Sequence, residues 1–208
     1  MSFSSIKAGT VFRWAHDERP ARVLVHADEI VMYDSWWPHL NAWGHANLRE
    51  ARRGATSYYA TSASTVLAKA NYLRDEPLTD EEEALHRPDL PFAVVRRPEI
   101  SWPASAADLS GFIAAFETED FALAAPDVCL EPFGPGGGTK RAIRVSADDK
   151  TRLPAAELLR KAAELQMPNL RDRSVVEGVG IYRSGLYGGR PSFYLWGAAS
   201  KLGSVPSR

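Results

Sequence analysis

Along the first third of the chain the apolar positions come in short β-branched runs, and after about residue 62 they repeat at helical spacing. TVFRWA (10–15), ARVLVH (21–26) and EIVMYD (29–34) predict three strands. The segment HDERP, ending in Pro20, separates the first two, and only Ala27 and Asp28 separate the second from the third, which is hairpin spacing. Three short strands so close together predict a small curled N-terminal β module. A short helix near residues 46–53, stopped by Gly54, and a strand over TSYYA (56–60) are expected next. From Ser62 onward, Val66, Leu67, Ala70 and Leu73 share one face of a 3.6-residue period. Thr79 and Glu82 then form a capping-box pair that opens an acidic helix ending before Pro88.

In the remainder, FAVVRR (92–97) and EISW (99–102) read as strand. Ser105 and Asp108 cap a helix that turns Leu109, Phe112, Ile113 and Phe116 to one side. DVCLEP (127–132) and RAIRVS (141–146) flank FGPGGGTK as a long-looped hairpin. Pro154 suits the first turn of a helix running to about Gln166, with Leu158, Leu159, Ala162 and Leu165 inward and Pro168 closing it. GVGIYRS (178–184) and PSFYLWG (191–197) bracket a late hairpin whose second strand is apolar or aromatic on both faces, so it should be covered. This irregular order predicts an α+β fold with a mainly antiparallel sheet and four or five packed helices. One compact domain over 1–208 is expected. The alternative is a subdivision into 1–78 and 92–208, because charge and two prolines break the pattern between Thr79 and Pro91.

Composition narrows the class. With 45% hydrophobic and 25% charged residues over 208 positions, the chain has the makeup of a folded globular protein rather than a disordered one. Cys129 is its only cysteine, which excludes an intramolecular disulfide and a multi-cysteine zinc site and suits a reducing, cytoplasmic setting. Neither a secretory leader nor an apolar run of membrane-spanning length is present, so no membrane association is expected. Net charge is −1, yet residues 61–125 carry five basic and twelve acidic groups and residues 126–208 carry thirteen and eight. That asymmetry can orient a polyanion or a protein partner, although solvated surfaces often show the same.

Candidate chemistry concentrates between Glu29 and Leu48, which hold three of the six tryptophans and two of the five histidines. Asp34, His39 and His45 are of the residue types that bind zinc or iron, or act as acid and base. Their D-x4-H-x5-H spacing matches no metal motif, and hydrogen bonding to loop backbone around packed rings is the favoured explanation. Trp36, Trp37 and Trp43, with Arg49, Arg52 and Arg53 close by, combine stacking faces and cations as single-strand binders do. Burial of such large rings in a core is the favoured account of them, with a binding platform as the alternative. Lys140, Arg141 and Arg144 follow a glycine-rich stretch that fails the phosphate-loop pattern, leaving a basic tip able to meet a polyanion.

The expectation is therefore a non-enzymatic cytoplasmic binding or adaptor protein, contacting nucleic acid through an aromatic and basic surface, with no cofactor and no metal. Two alternatives stand beside it. One is a metal-assisted hydrolase using Asp34, His39 and His45, and the other is a protein-interaction subunit or inhibitor.

Overall fold

The computed structural model describes residues 5–44, 55–117, 119–170 and 176–201. It is an α+β protein with mainly antiparallel sheets, as the order of elements predicts. The chain divides into two compact units, residues 1–92 with 184–191, and residues 93–183 with 192–208. The predicted helix near 46–53 lies outside the described residues.

In the first unit, β1 (Thr10–Trp14), β2 (Pro20–Ala27) and β3 (Ile30–Trp37) form an antiparallel meander. The β2–β3 turn is made by Asp28 and Glu29, both with positive φ, at 52° and 62°. This is the mirror-image turn that matches strand twist, built here without glycine. β4 (Ala42–Trp43) pairs with the end of β3, β6 (Tyr59–Ser62) pairs with its beginning, and β7 (Ala70–Asp75) closes the far side against β1. β5 (Ala55–Ser57) pairs instead with Gly185–Tyr187. Register shifts at Val23/Val25 and Val11/Phe12 add local twist, which curls the sheet.

Alternation then sorts the side chains onto two faces. Phe12, Ala21, Val23 and Val31 point to one, where Ala63 and Val66 of α1 (Ala63–Lys69) complete a core cluster with Ile6. Arg22, opposite Val11 and Asp34, points to the other, which is met by α2 (Asp80–His86). Ser62 caps α1 by accepting from the Thr65 amide at 3.2 Å. The helix stops at Lys69 instead of continuing through Leu73, and Leu67, expected inward, is 55% exposed. Residues Ala70–Asp75 satisfy the open edge of β1, and that long-range pairing overrides the helical periodicity. The capping box of α2 forms as predicted, with the Thr79 amide donating to Glu82 at 2.9 Å and the Glu82 amide to Thr79 at 3.2 Å. Tyr58 and His86, both buried, share a hydrogen bond at 2.7 Å.

In the second unit, β8 (Ala93–Trp102) pairs with β13 (Val176–Tyr187), followed across the sheet by β14 (Arg190–Trp196), β10 (Asp127–Glu131) and β11 (Ile143–Ser146). The β10–β14 pair is parallel and the others are antiparallel. β14 is thus a central strand, as its two apolar faces predict, and Gly188 and Gly189 turn into it with φ of 57° and 74°. β9 (Ala122–Leu123) and β12 (Leu153–Pro154) form a separate short pair. The helix capped by Ser105 and Asp108 is short, a 3-10 turn leading into α3 (Leu109–Ala114), and Phe112 stacks on buried Trp102. α4 (Ala155–Leu170) buries Leu158, Leu159 and Ala162 as expected but runs through Pro168. An exposed proline near a helix end forfeits a single intrahelical bond, and buried Leu170 holds the last turn in place.

Candidate functional site

The sequence-predicted residues fall into two environments of the first unit. Asp34, 1% exposed, accepts from the Gly44 amide at 3.1 Å and faces Arg22 across the strand pair. Trp43 is buried edge-to-face against Trp36, at 5.3 Å between centroids, and its Nε1 donates to Glu76 at 2.7 Å. The Arg22 guanidinium lies 5.0 Å over the Trp43 ring and donates to Glu82 at 2.5 Å. Burial pushes the Glu82 carboxyl up, but hydrogen bonds from Arg22 and Thr79 outweigh it and leave the pKa below the ordinary value. For Glu76 burial is likewise opposed, and exceeded, by Trp43, Arg74 and Arg22. Asp34, Trp36 and Trp43 therefore brace a closed polar network.

Trp37, 36% exposed, carries His39 edge-to-face at 5.4 Å on the exposed turn that follows β3. Asp34 is buried while His39 is exposed, and among the described residues no three His, Cys, Asp or Glu side chains are grouped to hold a metal ion. His45, Arg49, Arg52 and Arg53 lie outside the described residues. In the second unit Arg144 pairs with Asp127, Arg141 is exposed, and the Lys140 stem covers Gly134. The glycine-rich loop there is pinned by Gly134–Gly138 and Lys201–Gly137 backbone bonds and by Gln166, whose amide both donates to and accepts from Phe133.

A pocket of about 350 Å³ opens on the α1 face of the curled sheet. Trp14 at the end of β1 and Tyr33 and Ser35 on β3 are in phase with the core residues Phe12 and Val31, so the core's own alternation delivers them there. The β1–β2 turn adds His16, Asp17 and Arg19, β6 adds Tyr59, and α1 adds Thr65 and Lys69. The rings form a continuous series. Trp14 meets Phe12 and Tyr33 edge-to-face at 5.2 and 5.8 Å, Tyr33 stacks on Tyr59 at 5.4 Å, and His16 stacks on Trp14 at 6.0 Å. Tyr59 remains 50% exposed.

Charge in the pocket is arranged unevenly. Arg19 binds Asp17 through Nε and Nη2, the latter at 2.7 Å, and through its amide at 2.9 Å. Those hydrogen bonds bring the Asp17 carboxyl down to about 2, so it is ionised at neutral pH. Lys69 is exposed and has no ion pair among the described residues. Burial raises the Tyr33 phenol, keeping it neutral. The set offers stacking faces, a lone cation and hydroxyls, which are means of recognition. Of these residues Tyr33 and Ser35 lie within the Glu29–Leu48 stretch, though neither is among its predicted site residues. The readable signal for the others is an aromatic residue continuing a core phase to a strand end, as Trp14 continues Phe12.

No protein-family model, curated protein or solved structure matches the chain. Among the described residues no helix is long and apolar enough to cross a membrane.

Proposed function

We propose that the chain is a non-enzymatic binding protein of the cytoplasm whose ligand site is the α1-face pocket, and that its ligand is of the nucleic-acid class. The observation that carries this reading is the juxtaposition of exposed Tyr59, backed by Tyr33, with Lys69, a cation that has no ion pair among the described residues, in one pocket. Aromatic faces accept any base, and a nearby cation attracts its phosphate. A buried lone cysteine is in keeping with a reducing compartment.

Titration of the whole protein with short single-stranded DNA and RNA at low salt tests the proposal, with tryptophan fluorescence as the readout. Saturable binding that weakens roughly tenfold in Tyr59→Ala is expected, since one base stack is worth about 1–3 kcal/mol. Absence of binding at low salt to every strand offered, or binding indifferent to Tyr59→Ala and Lys69→Ala, overturns it.

A further inference from the structure

We propose that the pocket receives a single nucleotide carrying one phosphate, the unit shared by a free nucleoside monophosphate and the phosphorylated end of a single strand. This rests on the binding reading above and adds the size and charge of the ligand. A volume of about 350 Å³ is at the small end of ligand pockets and leaves no room for a run of bases. The stacking series ends in two accessible rings, exposed His16 against Trp14 and half-exposed Tyr59 against Tyr33, and Tyr59 is the base platform assigned here.

Charge sets the phosphate number. Arg19 is held by Asp17 through its side chain and its amide, so the two cancel. Lys69 supplies the remaining fixed positive charge, one cation to contact a single phosphate group that itself carries about −1.5 to −2. With Arg19 committed to Asp17, the pocket keeps no second uncommitted fixed cation for the added charge of a diphosphate or triphosphate, and Asp17→Asn would release one. Ser35, half-buried in the same wall, is placed for a sugar hydroxyl.

Calorimetric titration of the full chain with uridine, UMP, UTP, and a four-nucleotide RNA with and without a 5′-phosphate tests the assignment. UMP is expected to bind at least fivefold more tightly than uridine and than UTP. Lys69→Ala removes the gap between UMP and uridine, and Asp17→Asn narrows the gap between UMP and UTP. Lys69 is exposed and Asp17 half-buried on the β1–β2 turn, and unchanged thermal unfolding serves as the folding check for both variants. For the 5′-phosphorylated RNA a plot of log affinity against log salt should have a slope of about −0.7, one phosphate neutralised. Equal affinity for UMP and the 5′-phosphorylated RNA assigns the site to the free nucleotide. At least tenfold tighter binding of that RNA at the same slope assigns it to a strand end. The one-phosphate assignment is overturned if UTP binds as tightly as UMP, or if the 5′-hydroxyl RNA binds best with a slope of about −2 or steeper. Failure of every probe to bind overturns the binding reading itself.

Discussion

The two faces of the N-terminal curled sheet are built from the same strands and finished in opposite ways. On the α2 face Arg22 meets Glu82 and Glu76, Trp43 donates to Glu76, and Asp34 caps the Gly44 amide, so charge and ring are paired within the fold. On the α1 face the core runs out into Trp14, Tyr33 and Tyr59, with Lys69 at the margin lacking an ion-pair partner among the described residues. Adjacent residues are divided between the two. Asp34 serves the closed face and Ser35 the open one, one position apart. Residue type alone therefore does not distinguish a brace from a binding group. The proposed site is set apart by unused interaction capacity at the surface.

The largest expected effect separates the faces by stability. Arg22→Ala leaves Glu82 beside an empty buried position and should destabilise the chain by about 3 kcal/mol in denaturant unfolding. An unchanged midpoint would show that α2 is not held through this pair. Acid should act on the same face. The folded-state pKa values of Glu82 and Glu76 lie below the ordinary 4.5, so the unfolded chain binds more protons around that pH. Their contribution is present above pH 4.5 and lost as pH falls through the lowered values. Urea midpoints from pH 7 down to 3 should fall, with a shallower fall in Glu82→Gln.

Trp43→Phe keeps an aromatic core but removes the donor to Glu76, and a loss of about 1.5 kcal/mol is expected. The smallest effect belongs to the open face. Tyr59→Ala should change stability by no more than about 0.5 kcal/mol, because the ring is half exposed. A loss comparable to that of Trp43→Phe would make Tyr59 part of the core and blur the contrast between faces.

Much of the scaffold is legible in the sequence because it is local. The β2–β3 hairpin follows from two apolar runs and a two-residue gap, and the α2 capping box from Thr79 and Glu82 three residues apart. The covered strand β14 follows from its two apolar faces. Misread segments are those decided by distant partners. Ala70–Asp75 looks helical until β1 offers an unpaired edge, and Pro168 looks like a stop until Leu170 finds a buried seat. The pocket is the least legible part. It takes one to three residues from each of five segments between Trp14 and Lys69, while linear clustering draws attention to Trp36, Trp37 and Trp43. Strand alternation then sends Trp36 to pair with Trp43, leaving Trp37 beside His39 on an exposed turn.

The proposed function puts ligand in the α1-face pocket and not at the exposed end of the tryptophan stretch. Affinity for a 5′-phosphorylated four-nucleotide RNA, measured side by side for Tyr59→Ala and Trp37→Ala, tests it most directly. A loss of roughly tenfold in Tyr59→Ala with Trp37→Ala within twofold of the parent is the predicted result. Loss confined to Trp37→Ala would contradict it and place binding on the β3–β4 end of the sheet.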